Sequence, residues 1–192
     1  MDLQTLLEKR RTYRKFDESK PLSPNDREAI LQAVQTASSG MNRQSLRFIS
    51  VESQEKVSQV FDLTHWAASL PPELGQPKPG ERPVYFVAVC AHEKSSPFVD
   101  VDKGLAISNM TLTAMDRGIG SCIIGNFNHK KMQDLLGIGE DYTCNLVLAF
   151  GYPTITSTIK EVAAGEDLSY YLDDDGQYIV PKLKIEDLVR RV

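Results

Sequence analysis

Three arginines and two lysines crowd around one threonine in the run Lys9-Arg10-Arg11-Thr12-Tyr13-Arg14-Lys15. Placed at a helix exit, such a cluster can hold a dianionic phosphate. Guanidinium offers paired, planar donors, and the Thr12 hydroxyl adds another hydrogen bond. Taken alone, the run also reads as a solvated charged face. A second group is Ser38-Ser39-Gly40-Met41-Asn42-Arg43-Gln44. Small residues at a helix end are followed by two amides two positions apart. Amides carry donors and acceptors together, which the imide and ring-nitrogen edges of a heterocycle require. Alone, this stretch is equally an ordinary helix-to-strand loop.

Several other chemistries are excluded. Gly118-x-Gly120 is followed by Ile123 where a dinucleotide fingerprint needs its third glycine. There is no Gly-Lys-Ser/Thr phosphate loop and no Gly-x-Ser-x-Gly elbow. His65, His92 and His129 lack metal-ligand spacing, and no pair of side chains forms a general-base dyad. If the chain is an enzyme, a cofactor is expected to carry the chemistry. A net charge of −4 gives no electrostatic case for a nucleic-acid partner. Cys90, Cys122 and Cys144 are widely spaced, without a Cys-x-x-Cys pair, and read as reduced core residues. No apolar run reaches membrane-spanning length. Asp2 and Glu8 among the first leucines argue against a signal peptide, so a cytoplasmic location is expected. The 192 residues suit one domain over 1–192.

The elements that must position these groups follow from periodicity. Asp2 caps a first helix with Leu3, Leu6 and Leu7 on one face, which delivers the basic cluster. Ser23 and Pro24 open a second helix, which buries Ile30, Ala33, Val34 and Ala37 and stops at Ser38-Ser39-Gly40. Leu46 to Glu52 alternates like a strand, and Ser53 caps a helix carrying Val57, Val60 and Phe61. Five prolines and two glycines between Pro71 and Pro83 predict a long loop. Val84 to Ala91 is a continuous apolar strand.

The chain is organised around the stretch from Asp100 to Cys122. No charged side chain occurs from Gly104 to Met115. Leu105, Ser108, Leu112, Met115 and Ile119 form one stripe, and Ile107, Met110 and Ala114 a second. A helix apolar or small nearly all round is a buried one. Gly118 and Gly120 suit its exit by tolerating a left-handed backbone. Short strands follow at Ser121 to Ile124 and Asn145 to Phe150, separated by a helix capped by Asn128 and ended by Gly137. Asp175-Gly176 predicts a hairpin turn, and Ile185 to Val192 a short amphipathic helix. The pattern predicts an α+β sandwich: a mostly antiparallel central sheet flanked by helices, with the long central helix buried.

Together these residues resemble the nitroreductase family of flavin enzymes, over nearly the whole chain. The resemblance rests on Arg10-Arg11-Thr12-x-Arg14-x-Phe16 and on Ser39-Gly40-Met41-Asn42-x-Gln44-x-x-x-Phe48. It continues with Asp102-x-Gly104-x-Ala106-x-x-Asn109-Met110 and Gly118-x-Gly120-Ser121-Cys122-x-Ile124-Gly125-x-Phe127. Gly151-Tyr152-Pro153 and the basic pair Lys182 and Lys184 complete it. The resemblance implies a homodimer with FMN at the interface. It implies that Arg10, Lys182 and Lys184 neutralise the FMN phosphate, that Arg11 and Thr12 hold the phosphate and ribityl chain, and that Arg14 stands by the pyrimidine edge. There, positive charge favours the anionic reduced flavin. Ser38, Ser39, Gly40 and Asn42 would reach the FMN of the other subunit, with Gln44 supporting their loop. Ile123, Ile124, Gly125 and Asn126 would pass along the isoalloxazine, the Gly125 N–H aimed at N5. The segment between Trp66 and Lys78 would flank the pyrimidine ring.

The implied activity is a ping-pong cycle in which NADH or NADPH delivers hydride to the flavin and leaves. A small-molecule acceptor such as a nitroaromatic or quinone then takes its place. A non-catalytic flavin-binding or regulatory module is the alternative. The chain departs from the usual family pattern at Ser38, where proline is common, at Ser45-Leu46, where Pro-Trp is common, and at Gly125, where several members have Glu.

Overall fold

The computed structural model describes residues 1–67 and 70–192. Residues 68 and 69, within the segment expected to flank the pyrimidine ring, lie outside the described residues. Asp2 accepts the Thr5 N–H and starts α1 (Leu3–Lys9). Ser23 accepts the Asp26 N–H at the start of α2 (Pro24–Gln32), which tightens into a 3-10 turn over Ala33–Thr36. A second 3-10 turn covers Gly40–Asn42. Then come β1 (Leu46–Val51), α3 (Gln54–Asp62), α4 (Pro72–Gly75), β2 (Tyr85–His92) and α5 (Val99–Asp116). They are followed by β3 (Gly120–Ile124), α6 (His129–Leu136), β4 (Tyr142–Gly151), β5 (Ser157–Val162), β6 (Tyr171–Leu172), β7 (Tyr178–Leu183) and α7 (Ile185–Leu188).

The central sheet has the order β1-β2-β4-β3 and every pairing in it is antiparallel. All of β2 except His92 is buried. Its alternate side chains feed two cores. Phe86, Ala88 and Cys90 join Val57, Val60, Phe61 and Met132 from α3 and α6. Tyr85, Val87 and Val89 join Ile30, Ile107, Met110 and Ala114 from α2 and α5. A strand covered on both faces needs apolar residues at consecutive positions. The larger ones, such as Phe86, Val87 and Val89, each contribute about 1.5–3 kcal/mol on full burial. The arrangement is the expected α+β sandwich with helices on both faces. Cys90, Cys122 and Cys144 are buried and unpaired. Among the described residues, no helix is long and apolar enough to cross a membrane.

Four expectations need correction. The central helix buries only one side within the chain. Ile107, Met110 and Ala114 face the sheet, whereas Leu105 is 42 % exposed and Val101 59 %. The reason is that α5 packs on one face of the sheet, and none of the described residues covers Val101 or Leu105 on its far side. Gly118 does adopt a left-handed φ of 73°. Gly120 does not. It is glycine because a Cβ there would lie 2.9 Å from the Tyr13 ring. The proline-rich segment is not all loop, since Pro72–Gly75 forms a short helix. The C-terminal helix spans only Ile185–Leu188 and buries none of its residues. An amphipathic face without a partner leaves so short a helix marginal.

A second, three-stranded sheet has the order β5-β7-β6, with β5 and β7 parallel and β6 antiparallel to β7. Residues 175 and 176 sit in the predicted hairpin turn. β5 was not legible, because the four residues between its buried ends are all exposed and carry no alternation.

Candidate functional site

The basic cluster begins where α1 ends. Arg10 is the C-terminal cap of α1, and Arg11 Nη2 donates to the Leu7 carbonyl at 2.6 Å. The chain then runs extended along the outer edge of β3. Thr12 pairs with Ser121 in parallel sense, and the Tyr13 N–H donates to the Ser121 carbonyl at 2.9 Å. Tyr13 and Phe16 are buried and sit against Gly120 and Gly151, where any Cβ would collide with their rings. These two aromatic anchors fix the segment.

Arg10, Arg11, Thr12, Thr111, Ser121, Ile123, Val180 and Lys182 line a cavity of about 160 Å³. Among the described residues no carboxylate lines it. Among the described residues, none of the ion pairs involves Arg10, Arg11 or Lys182. The Nε atoms of both arginines are buried without a hydrogen-bond partner. Burial, and then the neighbouring Arg10 charge, push the Arg11 guanidinium below its ordinary value. Packed cations with unused donors and hydroxyls nearby fit a phosphate group, which supplies both the missing charge and the missing acceptors. The cavity is smaller than the roughly 300–1,000 Å³ of a small-molecule site. It shares Arg10 and Ile123 with an open groove of about 650 Å³, whose apolar wall is Ile107, Ile123 and Leu146. A phosphate-sized recess beside a ring-sized groove is the arrangement that a mononucleotide needs.

The other expected residues are dispersed. Ile123 is 45 % exposed and lines both recess and groove. The Ile124 side chain points into the core instead, since neighbours on a strand face opposite ways. Gly125 and Asn126 are exposed beyond the end of β3, and the Asn126 carbonyl accepts the His65 N–H at 2.9 Å. A Cβ on Gly125 would make only an ordinary contact with Leu146 at 3.5 Å, so no close approach inside the chain demands glycine. Lys184 does not line the recess. It caps α7 and donates its N–H to the Val162 carbonyl.

The loop of Ser38, Ser39, Gly40, Asn42 and Gln44 lies at the start of α5. The Gly40 N–H donates to Asp102 Oδ1 at 2.8 Å. A Cβ on Gly40 would be 2.8 Å from Phe98 Cβ. Gln44 braces the loop, its N–H donating to Ser39 Oγ at 3.2 Å and its Nε2 to Asn42 Oδ1 at 3.1 Å. Met41, Asn42 and Gln44 all have positive φ, at 52°, 52° and 48°. Each left-handed non-glycine residue costs about 1–3 kcal/mol, and such strain clusters at ligand sites. None of these residues lines the recess or the groove, so one chain alone does not bring the two groups together.

Arg14 is also apart from the recess lining. Its Cζ lies 4.5 Å from the ring centroid of Tyr170 and 5.3 Å from that of Tyr178. Burial pushes the Cys122 thiol up to about 11, and the nearby Arg14 charge opposes that rise. Thr111 and the two tyrosines were not singled out in the sequence, and Ser121 entered only as part of the motif after the central helix. Thr111 alone left a signal, as a hydroxyl in the middle of an apolar helix. It is 1 % exposed.

The sequence pattern of the Nitroreductase family matches residues 7–152. That span takes in the arginine cluster, the strained loop and the whole central sheet. The chain belongs to the nitroreductase family. A family relative from Archaeoglobus fulgidus, provisionally named an NADH dehydrogenase/NAD(P)H nitroreductase, is 30% identical over 152 residues, covering 75% of this chain and 81% of its own. The iodotyrosine deiodinase of Thermotoga neapolitana is 25% identical over 167 residues, covering 79% of this chain and 88% of its own. Among solved nitroreductase structures, the FMN-bound enzyme of Bacteroides fragilis has the same fold, with a TM-score of 0.66 at 23% identity, covering 87% of this chain and 97% of that one. The family match ends at Tyr152, so β5, β6 and β7 lie beyond it.

Proposed function

We propose that this nitroreductase-family chain is an FMN-dependent oxidoreductase. It takes reducing equivalents from NADH or NADPH and passes them to a small-molecule acceptor such as a nitroaromatic or quinone. The observation that carries the reading is the uncompensated recess of Arg10, Arg11 and Lys182, with two buried guanidinium nitrogens lacking partners. Arg10, Arg11 and Lys182 hold the phosphate, and Thr12 the adjoining chain. Ile107, Ile123 and Leu146 give the ring an apolar wall. Bound there, FMN would supply the hydride-accepting and hydride-donating chemistry that amino-acid side chains lack. Arg14 contributes positive charge near the recess, which favours the reduced cofactor. Donor and acceptor use the same groove in turn, which is a ping-pong cycle and needs no proton-shuttling dyad.

The working unit in this reading is a homodimer. The loop of Ser38 to Gln44 is strained, lies outside the recess of its own chain, and completes the site of a second copy. The exposed Val101 and Leu105, one turn apart on α5, supply apolar surface for that contact. The test is direct. Purified protein releases FMN and not FAD on denaturation, and turns over NADH or NADPH against a panel of nitro compounds and quinones. Release of FAD alone overturns the cofactor assignment. FMN binding without turnover on any of the panel leaves a flavin-binding module instead of an enzyme.

A further inference from the structure

Arg14 reaches the site through a device built from the C-terminal segment. Tyr170 precedes β6 and Tyr178 opens β7. Their ring centroids are 6.2 Å apart at an interplanar angle of 59°, and the Arg14 guanidinium lies over both. Tyr178 is 1 % exposed, and Arg14 meets both its ring face and, too loosely for a well-formed hydrogen bond, its hydroxyl. Tyr170 meets Arg14 through its ring face. Among the described residues Arg14 enters no ion pair, so the two rings are its identified partners. Thr12 and Val180 line the phosphate-sized recess, and Arg14 and Tyr178 are the next alternate residues on the same two segments. That step is roughly 7 Å.

We propose that Tyr170 and Tyr178 are positioning residues for Arg14. They hold its charge beside the cofactor recess, so that the C-terminal sheet sets the reduction potential of the bound flavin. The proposal rests on the FMN reading above. Aromatic faces attract the cation electrostatically. They also shield it from water, which lengthens the reach of its charge. Holding the long side chain in one rotamer removes an entropy cost before any cofactor arrives. The two tyrosines lie outside the span that the family pattern matches, so this positioning belongs to the chain's own C-terminal segment.

Tyr170 is the residue to change, because it is only half-buried and its loss is tolerated more easily than that of Tyr178. Full-length wild type, Tyr170→Leu, Tyr170→Phe and Arg14→Met are compared by FMN titration and spectroelectrochemistry. The side-chain NMR signal of Arg14 in the cofactor-free protein reports the contact itself. Tyr170→Leu should reduce the ring-current shift of Arg14 to the part that Tyr178 supplies. It should also lower affinity for reduced relative to oxidised FMN by about three- to fivefold, the range of an exposed cation–π contact. Tyr170→Phe should restore both. If Arg14→Met shifts the potential and Tyr170→Leu does not, the positioning role is overturned and the cofactor reading stands. Equal shifts in Tyr170→Leu and Tyr170→Phe also overturn it, since the hydroxyl and not the ring face would then be acting. A wild type that binds no FMN removes the cofactor reading and this inference together.

Discussion

At the scale of residues, Arg10 and Arg14 carry the same charge four positions apart and sit in different surroundings. Arg10 lines both the recess and the groove. Arg14 lies on two tyrosine faces. Their removal should therefore be felt differently. Arg10→Ala is expected to weaken FMN binding by about 1.5–3 kcal/mol, the range for a hydrogen bond to a charged group. A solvated surface arginine would cost under about 1 kcal/mol, and flavin titration of the apo-protein separates the two. Arg14→Met should leave oxidised FMN bound and make its potential more negative by roughly 30 mV, which for a two-electron couple is about 1.4 kcal/mol. Loss of FMN with no change in potential would place Arg14 in the phosphate grip instead.

At the scale of elements, the basic segment depends on how tightly it is pressed onto the sheet. Gly120 and Gly151 leave no room for a Cβ beside Tyr13 and Phe16, the closest approaches being 2.9 Å and 2.8 Å. Both rings are buried and cannot swing aside. Gly120→Ala should cost about 1–3 kcal/mol of stability, as overpacking does, and weaken FMN binding at the same time by displacing Arg10 to Thr12. A denaturant midpoint that falls with unchanged flavin affinity would show that the segment adapts.

Asp26 makes a second test at this scale. It bonds the Ser23 hydroxyl at the head of α2 and pairs with Arg117 after α5 at 3.0 Å. The Ser23 hydrogen bond first, and Arg117 with it, hold its carboxyl below the usual 3.8. A depressed carboxyl pKa stabilises the fold above 3.8 and loses that contribution as pH falls through the folded value. Asp26→Asn should therefore be less stable than wild type near neutral pH, and the gap should close in acid below about pH 4. Thermal melts across pH 2–7, a range of roughly five units around the carboxylate pKa, check the sign.

At the scale of the whole molecule, the far side of α5 and the C-terminal tail remain uncovered. Val101, Leu105, Ile185 and Leu188 are all more than 40 % exposed. Scattered apolar residues are ordinary on a surface, but Val101 and Leu105 continue the apolar face of a helix whose other side is core. The expected state is a homodimer, and Leu105→Asp should weaken dimerisation and FMN binding together. Sedimentation at several concentrations, with flavin absorbance followed in the same run, reads both. A concentration-independent monomer that still carries flavin would sink the shared-site reading.

Local signals in the sequence determined the caps at Asp2, Ser23, Ser53 and Asn128, the doubly covered strand Tyr85–His92 and the hairpin at Asp175-Gly176. Each is set by a side chain acting on its own backbone or by an unbroken apolar run, so neighbours in sequence suffice. The grouping of Arg10, Arg11 and Thr12 was equally local. Other features depend on distant contacts. Tertiary structure decided that Ile123 faces the recess while Ile124 enters the core. It decided that Lys182 lines the recess while Lys184 does not, and that Arg14 rests on Tyr170 and Tyr178. It also decided which side of α5 is buried. The strand Ser157–Val162 exists by pairing with Tyr178–Leu183, not through any pattern of its own. Side-chain direction in a strand depends on register, and register is set only once a distant strand has paired.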